Sequence, residues 1–252
     1  NTHQGYYGGW NNKTAAGYGN SPNTISYQLG RFHRAHVIDD YLRENDHLTF
    51  EQVRDLALNI AATDSFGGGG NPWPFVSEDF MDAVNRAADA PVAARTEALE
   101  LLAAWDGHFV EGGAGSWAAG TKRADAWVRM NAWIQEVLKL TFEELDAFPA
   151  AQNKTVLFNV LLHGLGRGSL ITYYNWFQNA DAAAPQSADA IIVKALDNTL
   201  ASLGARPWSV SRDMIPFKHA LLGKVWEMPF SSRSTYAHTV EYAHSGPVRI
   251  QS

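Results

Sequence analysis

The sequence contains no cysteine, which excludes disulfides, cysteine–zinc sites and a cysteine nucleophile. Positive charge is also scarce: 20 Lys and Arg stand against 26 Asp and Glu, the net charge is −6, and no basic cluster occurs. A nucleic-acid partner therefore has no electrostatic support. No apolar run reaches the roughly 18 residues that a membrane-spanning helix needs, so we expect no membrane partner.

Several catalytic signatures are absent or incomplete. Gly67–Gly70 is not followed by the Lys-Ser or Lys-Thr of a P-loop, which favours a surface loop. Gly164–Gly168 follows a helical pattern rather than a strand, the wrong context for dinucleotide binding. No Gly-x-Ser-x-Gly elbow occurs, which disfavours an α/β-hydrolase. His33 and His36 stand near two acids at helical spacing, but no third ligand type lies nearby, and a polar helix face is favoured over a metal site.

The composition is that of a globular protein, with 46% hydrophobic residues, 18% charged residues, nine Trp and nine Tyr. We divide the chain into a strand and loop over residues 1–28, a helical region over 29–235 and a strand-like return over 236–252. No repeat or shift in composition separates these parts, so residues 1–252 are predicted to form a single segment. The predicted fold class is mainly α with a few strands.

Helical periodicity and end signals place the elements within that segment. Thr49, Ser77 and Ser187 are predicted N-caps, and Gly204 is a predicted helix stop. Residues 208–224 have a mixed pattern, whereas 238–242 and 248–251 alternate like strands around a Ser-Gly-Pro turn. The predicted helices cover residues 30–43, 50–62, 78–88, 92–105, 121–144, 153–165 and 188–203.

The most informative stretch is Gly8–Lys13, followed by a helix that carries Arg34. The side-chain amide of Asn11 can donate to a developing negative charge without itself being charged, as an oxyanion site requires. Arg34 lies 23 residues further on and supplies a fixed cation. From these residues alone, a core Trp10, an asparagine turn and a surface Arg34 would be the favoured interpretation.

Segments in consistent order along most of the chain resemble the β-chain of the penicillin acylases, which are N-terminal-nucleophile hydrolases. The Trp-Asn-Asn strand end at Asn11 is similar to the family's Asn-Trp-Asn-Asn. Arg34–Leu42 is similar to its Arg-x-x-x-Ile-Asp-x-x-Leu helix, and Leu48–Gln52 to the helix start that follows. Leu101–Gly107 resembles its Leu-x-x-Trp-Asp-Gly segment, and Ala188–Gly204 its late helix.

The resemblance implies a helical segment of an α+β (αββα) N-terminal-nucleophile hydrolase that cleaves the amide bond of an N-acylated substrate. In this family the nucleophile is a Ser at the first position of the β-chain, and its own α-amine acts as the base. The resemblance gives Asn11 the role of oxyanion donor. It gives Arg34 the role of orienting the nucleophile's amine and disfavouring its charged form.

The chain departs from the family at its first residue, because Asn1 is not Ser, Thr or Cys. We therefore expect the nucleophile to lie outside this chain, which resembles an excised segment, and the isolated chain to be inactive. The expected partners are the remaining α- and β-chain segments and a small-molecule acyl amide, in the periplasm or outside the cell. No cofactor is implied. A structural calcium ion in the complete enzyme stays open, because Asn23 or a neighbour stands where relatives place an Asp.

The identity of the acyl group also stays open, since the acyl pocket lies outside the chain: penicillins, other acylated amines and acyl-homoserine lactones all fit the resemblance. The competing hypothesis is a non-catalytic helical module that binds a protein or small ligand through its aromatic surface.

Overall fold

The computed structural model describes residues 5–8, 34–61, 71–89, 92–110, 118–143, 154–166, 175–178, 186–208, 214–229 and 239–251. Within these ranges, seven α-helices precede two antiparallel hairpins, which confirms a mainly helical fold with a few strands. The helices are α1 Arg34–Glu44, α2 Phe50–Ala61, α3 Ser77–Asn85, α4 Ala93–Ala103, α5 Lys122–Phe142, α6 Lys154–Gly164 and α7 Ala188–Leu203. The strands are β1 Met214–His219, β2 Gly223–Pro229, β3 Thr239–Ala243 and β4 Gly246–Gln251.

Helix α5 is the centre of the hydrophobic core. Of its 21 residues, 12 are buried, more than a single apolar stripe accounts for, so the helix is enclosed on several sides. Helices α4, α6 and α7 pack against it, and α3 packs against α7. The helix begins where predicted, since the Thr121 hydroxyl accepts a hydrogen bond from the N–H of Ala124 at 3.3 Å.

Trp133 joins α5 to the elements on either side of it. Its side chain is fully buried, and its indole N–H donates to the carbonyl of Ile192 in α7 at 3.0 Å. The ring centroid lies 4.9 Å from that of Phe80 in α3 and 5.8 Å from that of Trp73. A large apolar ring is thus buried without leaving its polar atom unpaired.

Most helix ends follow local signals in the sequence. Thr49 caps α2 as predicted and forms a reciprocal capping box with Gln52: each backbone N–H donates to the other side chain, at 2.8 and 3.2 Å. Ser187 caps α7, and Gly204 ends it with φ +62°. The prediction of Ser77 as a cap was wrong. A 3₁₀ turn over Trp73–Phe75 leads directly into α3, so Ser77 is already the first helical residue.

The strands differ from the prediction in two places. Residues 5–8, inside the predicted strand and loop of residues 1–28, form no strand. Residues 214–229, inside the predicted helical region 29–235, form the β1–β2 hairpin, with Phe217 opposite Trp226. Pro216 lacks the N–H that a helix interior needs, and the aromatic residues around it favour an extended chain. The second hairpin lies where the alternating pattern predicts it, with β3 and β4 on either side of a tight turn.

An ion triple ties the start of α4 to α7. The guanidinium of Arg95, only 7% exposed, donates to Asp197 at 2.7 and 2.8 Å and to Asp89 at 2.8 Å. The hydrogen bond from Arg95 lowers the pKa of the Asp89 carboxyl below its ordinary value. By contrast, the pair between Arg86 and Asp189 joins α3 to α7 at 2.9 Å with both side chains largely exposed.

We predict that Arg95→Ala lowers the free energy of unfolding by about 1–3 kcal/mol, because it removes a buried cation from two partly exposed carboxylates. The depressed pKa of Asp89 makes its share of this stability present above pH ~4 and lost as the pH falls through the folded-state pKa. Urea denaturation at pH 7 and pH 3 measures the difference.

The matched control is Arg86→Ala, which breaks an exposed pair and should cost less than about 1 kcal/mol. Equal losses for the two variants at pH 7, or a loss for Arg95→Ala that is undiminished at pH 3, would contradict this account.

Candidate functional site

The N-terminal segment, residues 5–8, immediately precedes the predicted oxyanion site and lies against helix α1. The Tyr6 hydroxyl donates to the carboxylate of Asp39 at 2.8 Å and is 3.3 Å from the carbonyl oxygen of the same residue. A Cβ placed on Gly8 would lie 3.5 Å from Cγ2 of Ile38, so the backbone there passes close to that side chain. The hydrogen bonds of Tyr6 therefore place the N-terminal segment beside α1.

These contacts bear on the two residues predicted to act in catalysis. Arg34 is the first residue of α1, one helical turn before Ile38, so the N-terminal segment packs on the helix that carries it. The side chain of Arg34 lies outside the described residues, as does all of Asn11. The catalytic roles of Asn11 and Arg34 thus stay predictions.

Asp39 and Asp40 are engaged in ion pairs, whereas His33 and the side chain of His36, the other candidate metal ligands, lie outside the described residues. Arg43 bridges them, with a direct contact to Asp39 four residues earlier and a 3.1 Å contact to Asp40. The hydrogen bond to Asp39 raises the pKa of Tyr6, so the phenol is protonated and acts as donor at neutral pH. No group of three metal-ligating side chains occurs among the described residues, and Asn23 lies outside them.

A second polar cluster, which the sequence did not reveal, lies where α4, α5 and the end of α7 meet. The nearly buried Arg129 donates to the carboxylate of Glu97 at 3.0 Å, and its guanidinium lies 4.8 Å from the centre of the Trp208 ring. Arg206 also pairs with Glu97 and lies 3.5 Å from Asp125. Burial lowers the pKa of Arg129, and the charge of Glu97 opposes that shift.

A pocket of about 480 Å³ opens beside this cluster. Its walls carry both signs of charge, including Arg206 and Lys122 against Glu97 and Glu100. The lining residues include no Ser, Thr or Cys, so the pocket offers no hydroxyl or thiol nucleophile. The surrounding ion pairs join α4, α5 and the segment that follows α7, so they stabilise the packing of these elements. The lining residues are Glu97, Glu100, Leu101, Ala104, Trp105, Asp106, Lys122, Arg123 and Arg206.

Across the described ranges, none of the helices has the length and apolar character required to cross a bilayer.

Comparison with known proteins confirms the family that the motifs indicated. The family model described as penicillin amidase matches residues 1–248. No curated protein matches the chain. Among solved structures, the chain is similar to a thermostable penicillin G acylase from Alcaligenes faecalis, with a TM-score of 0.58 and 20% sequence identity over 92% of this chain. At that identity the likeness shows the fold. The chain spans 39% of the length of that acylase chain.

Proposed function

The chain belongs to the penicillin amidase family, whose model spans residues 1–248, and on that premise we propose that it is one part of an enzyme that hydrolyses the amide bond of an N-acylated small molecule. The observation that carries the proposal is the extent of the family match, which includes both Asn11 and Arg34. The fold shared with a penicillin G acylase supports it.

In the proposed reaction, a nucleophile outside this chain attacks the acyl carbonyl, and its free α-amine takes up the proton through a water molecule. The ordinary pKa of an α-amine is about 7.7–8.0, so a modest depression makes it a usable base near neutral pH. Arg34 disfavours the ammonium form and orients the amine. The Asn11 amide donates to the oxyanion that forms at the carbonyl oxygen.

The contact between the N-terminal segment and α1 supports this division of labour. The Tyr6 hydroxyl anchors the chain that runs toward Asn11 to Asp39 of α1, the helix that begins with Arg34. An oxyanion donor works only if it is held in place before the charge develops, because its reorganisation would otherwise offset the gain. The Tyr6–Asp39 hydrogen bond, five residues before Asn11, is consistent with this requirement.

The remaining properties follow from the same proposal. The other segments of the enzyme complete the active site, and the isolated chain is inert because its nucleophile lies elsewhere. The span of 39% of the similar acylase chain supports the need for further segments. We place the enzyme in the periplasm or outside the cell and assign it no catalytic cofactor.

In the complete protein, we predict that Asn11→Ala lowers kcat by about 10²–10³, because one oxyanion donor is removed. Phenylacetyl and long-chain acyl amides are the substrates to assay. Asn12→Ala is the matched control, since it removes the same side chain from the neighbouring position. An unchanged kcat for Asn11→Ala in correctly processed enzyme would reject the oxyanion role, and no turnover by the complete wild-type protein would favour the non-catalytic module.

We predict that Arg34→Lys also lowers activity markedly, since an ammonium keeps the charge but loses the planar fork that orients the amine. With the amine less perturbed, the pKa on the acidic limb of the kcat/KM profile should rise. Arg54→Lys, on the neighbouring helix α2, where Arg54 pairs only locally with Asp55, is the control and should be silent in kinetics. A pH profile of kcat/KM for Arg34→Lys identical to that of wild type would reject the catalytic role and leave Arg34 as a surface charge.

A further inference from the structure

The hydrogen bond between Tyr6 and Asp39 joins the two elements that carry the predicted catalytic residues. Tyr6 lies five residues before Asn11, and Asp39 lies five residues after Arg34 in α1. Over five residues a helix rises about 7.5 Å, and an extended chain spans at most about 17 Å. The bond therefore links the chain that leads to the oxyanion donor with the helix that begins at the orienting cation.

The carboxylate of Asp39 divides its two oxygens between two partners. Oδ1 accepts the Tyr6 hydroxyl at 2.8 Å, whereas Oδ2 accepts from the guanidinium of Arg43. Arg43 also donates to Asp40 at 3.1 Å, so its guanidinium is held by two carboxylates of the same helix. With Oδ2 engaged by this cation, the carboxylate has less freedom to rotate, and Oδ1 is held toward Tyr6.

This arrangement contributes more to orientation than to stability. The side chain of Arg43 is 57% exposed and that of Asp39 is 39% exposed, and ion pairs so open to solvent add little to the free energy of folding. A hydrogen bond to an ionised carboxylate is nevertheless directional and roughly twice as strong as a neutral one. Loss of the Tyr6 hydroxyl should therefore leave the fold intact and change the position of the chain that it holds.

We propose that Tyr6 and Asp39 are positioning residues for the proposed amide hydrolysis. Their hydrogen bond holds the chain that carries Asn11 against α1, so that the amide donor is in place when negative charge develops on the acyl oxygen. A donor that has to move into place loses part of its effect, because the cost of reorganisation offsets the gain. Arg43 supports the arrangement by fixing the carboxylate of Asp39. The inference rests on the proposed function, and specifically on the oxyanion role of Asn11.

A double-mutant cycle in the complete, correctly processed protein tests the positioning role. Tyr6→Phe removes only the hydroxyl and keeps the ring. The matched control is Tyr7→Phe, which removes the hydroxyl of the adjacent tyrosine, whose side chain is 83% exposed. The values of kcat and KM are measured for these variants, for Asn11→Ala and for Tyr6→Phe combined with Asn11→Ala. The substrate is whichever phenylacetyl or long-chain acyl amide the wild type hydrolyses fastest.

We expect Tyr6→Phe to lower kcat about 10-fold or more with little change in KM, since a misplaced oxyanion donor weakens stabilisation of the transition state alone. Tyr7→Phe should leave both constants unchanged. In the Asn11→Ala background, Tyr6→Phe should have no further effect, because the donor that it positions is absent.

Three results of the cycle would overturn the proposal. The first is a Tyr6→Phe variant with the kcat of wild type, and the second is an equal loss of kcat in Tyr7→Phe. The third is a loss of kcat by the same factor with and without the Asn11 amide, which is the result that a purely structural contribution of Tyr6 would give.

Substitutions of Asp39 provide a second readout. Asp39→Asn keeps an acceptor oxygen for the Tyr6 hydroxyl, whereas Asp39→Ala removes it. We expect Asp39→Asn to retain more of the wild-type kcat than Asp39→Ala does. Tyr6→Phe should lower kcat further in the Asp39→Asn background and have no further effect in the Asp39→Ala background. Equal kcat values for the two Asp39 variants, or a further loss on top of Asp39→Ala, would contradict the positioning role.

The same measurements separate the positioning role from the proposed function. A reduced kcat for Asn11→Ala together with a wild-type kcat for Tyr6→Phe would keep the oxyanion role and reject the positioning role. A wild-type kcat for Asn11→Ala would reject the oxyanion role and, with it, positioning through Asn11. A complete protein that hydrolyses no acyl amide would reject the hydrolase and both roles.

Discussion

The fold depends on the burial of Trp133 at the middle of α5. An indole of this size can be enclosed only if several elements surround it and one of them accepts its N–H, and α7 does so through the carbonyl of Ile192. Once α5 and α7 are joined in this way, α3 packs against α7 and places Phe80 against the indole ring. The ion triple around Arg95 then ties the start of α4 to the same helix. The helical core is thus organised around one buried indole ring whose N–H group is hydrogen-bonded.

The region that carries the proposed chemistry lies apart from that core, on α1 and the N-terminal segment. Among the described residues, the contacts of this region are the Tyr6–Asp39 hydrogen bond, the passage of Gly8 beside Ile38, and the packing of α1 on α2. Such an arrangement suits a site that works only when other segments complete it.

Local signals in the sequence predicted much of the secondary structure. Thr49 and Ser187 cap α2 and α7 as predicted, because a helix cap depends only on residues within one turn. Ser77 does not, because a 3₁₀ turn before it already supplies the start of α3. Residues 214–229 form a hairpin although they lie in the predicted helical region. Pro216 disfavours a helix there, because it lacks the N–H that a helix interior needs.

The candidate site was less accessible to such reasoning. The order of the motifs led to the family, and through it to Asn11 and Arg34. The partner of Tyr6 could not be predicted, because Asp39 lies 33 residues away and no spacing rule relates them. The buried cluster of Arg129, Glu97 and Arg206 was missed for the same reason, since charged residues on separate helices give no sign in sequence that they will meet.

The central claim is that Asn11 donates to the oxyanion formed at the acyl carbonyl, while Arg34 orients the amine of the nucleophile. A crystal structure of the complete protein with a covalent transition-state analogue, such as a boronic acid, tests it most directly. The account predicts the Asn11 amide nitrogen about 2.7–3.1 Å from the oxygen that stands for the oxyanion, with the Arg34 guanidinium directed at the nucleophile's amine. An Asn11 amide turned away from the bound oxygen, with Arg34 extended into solvent on the far face of α1, would contradict it.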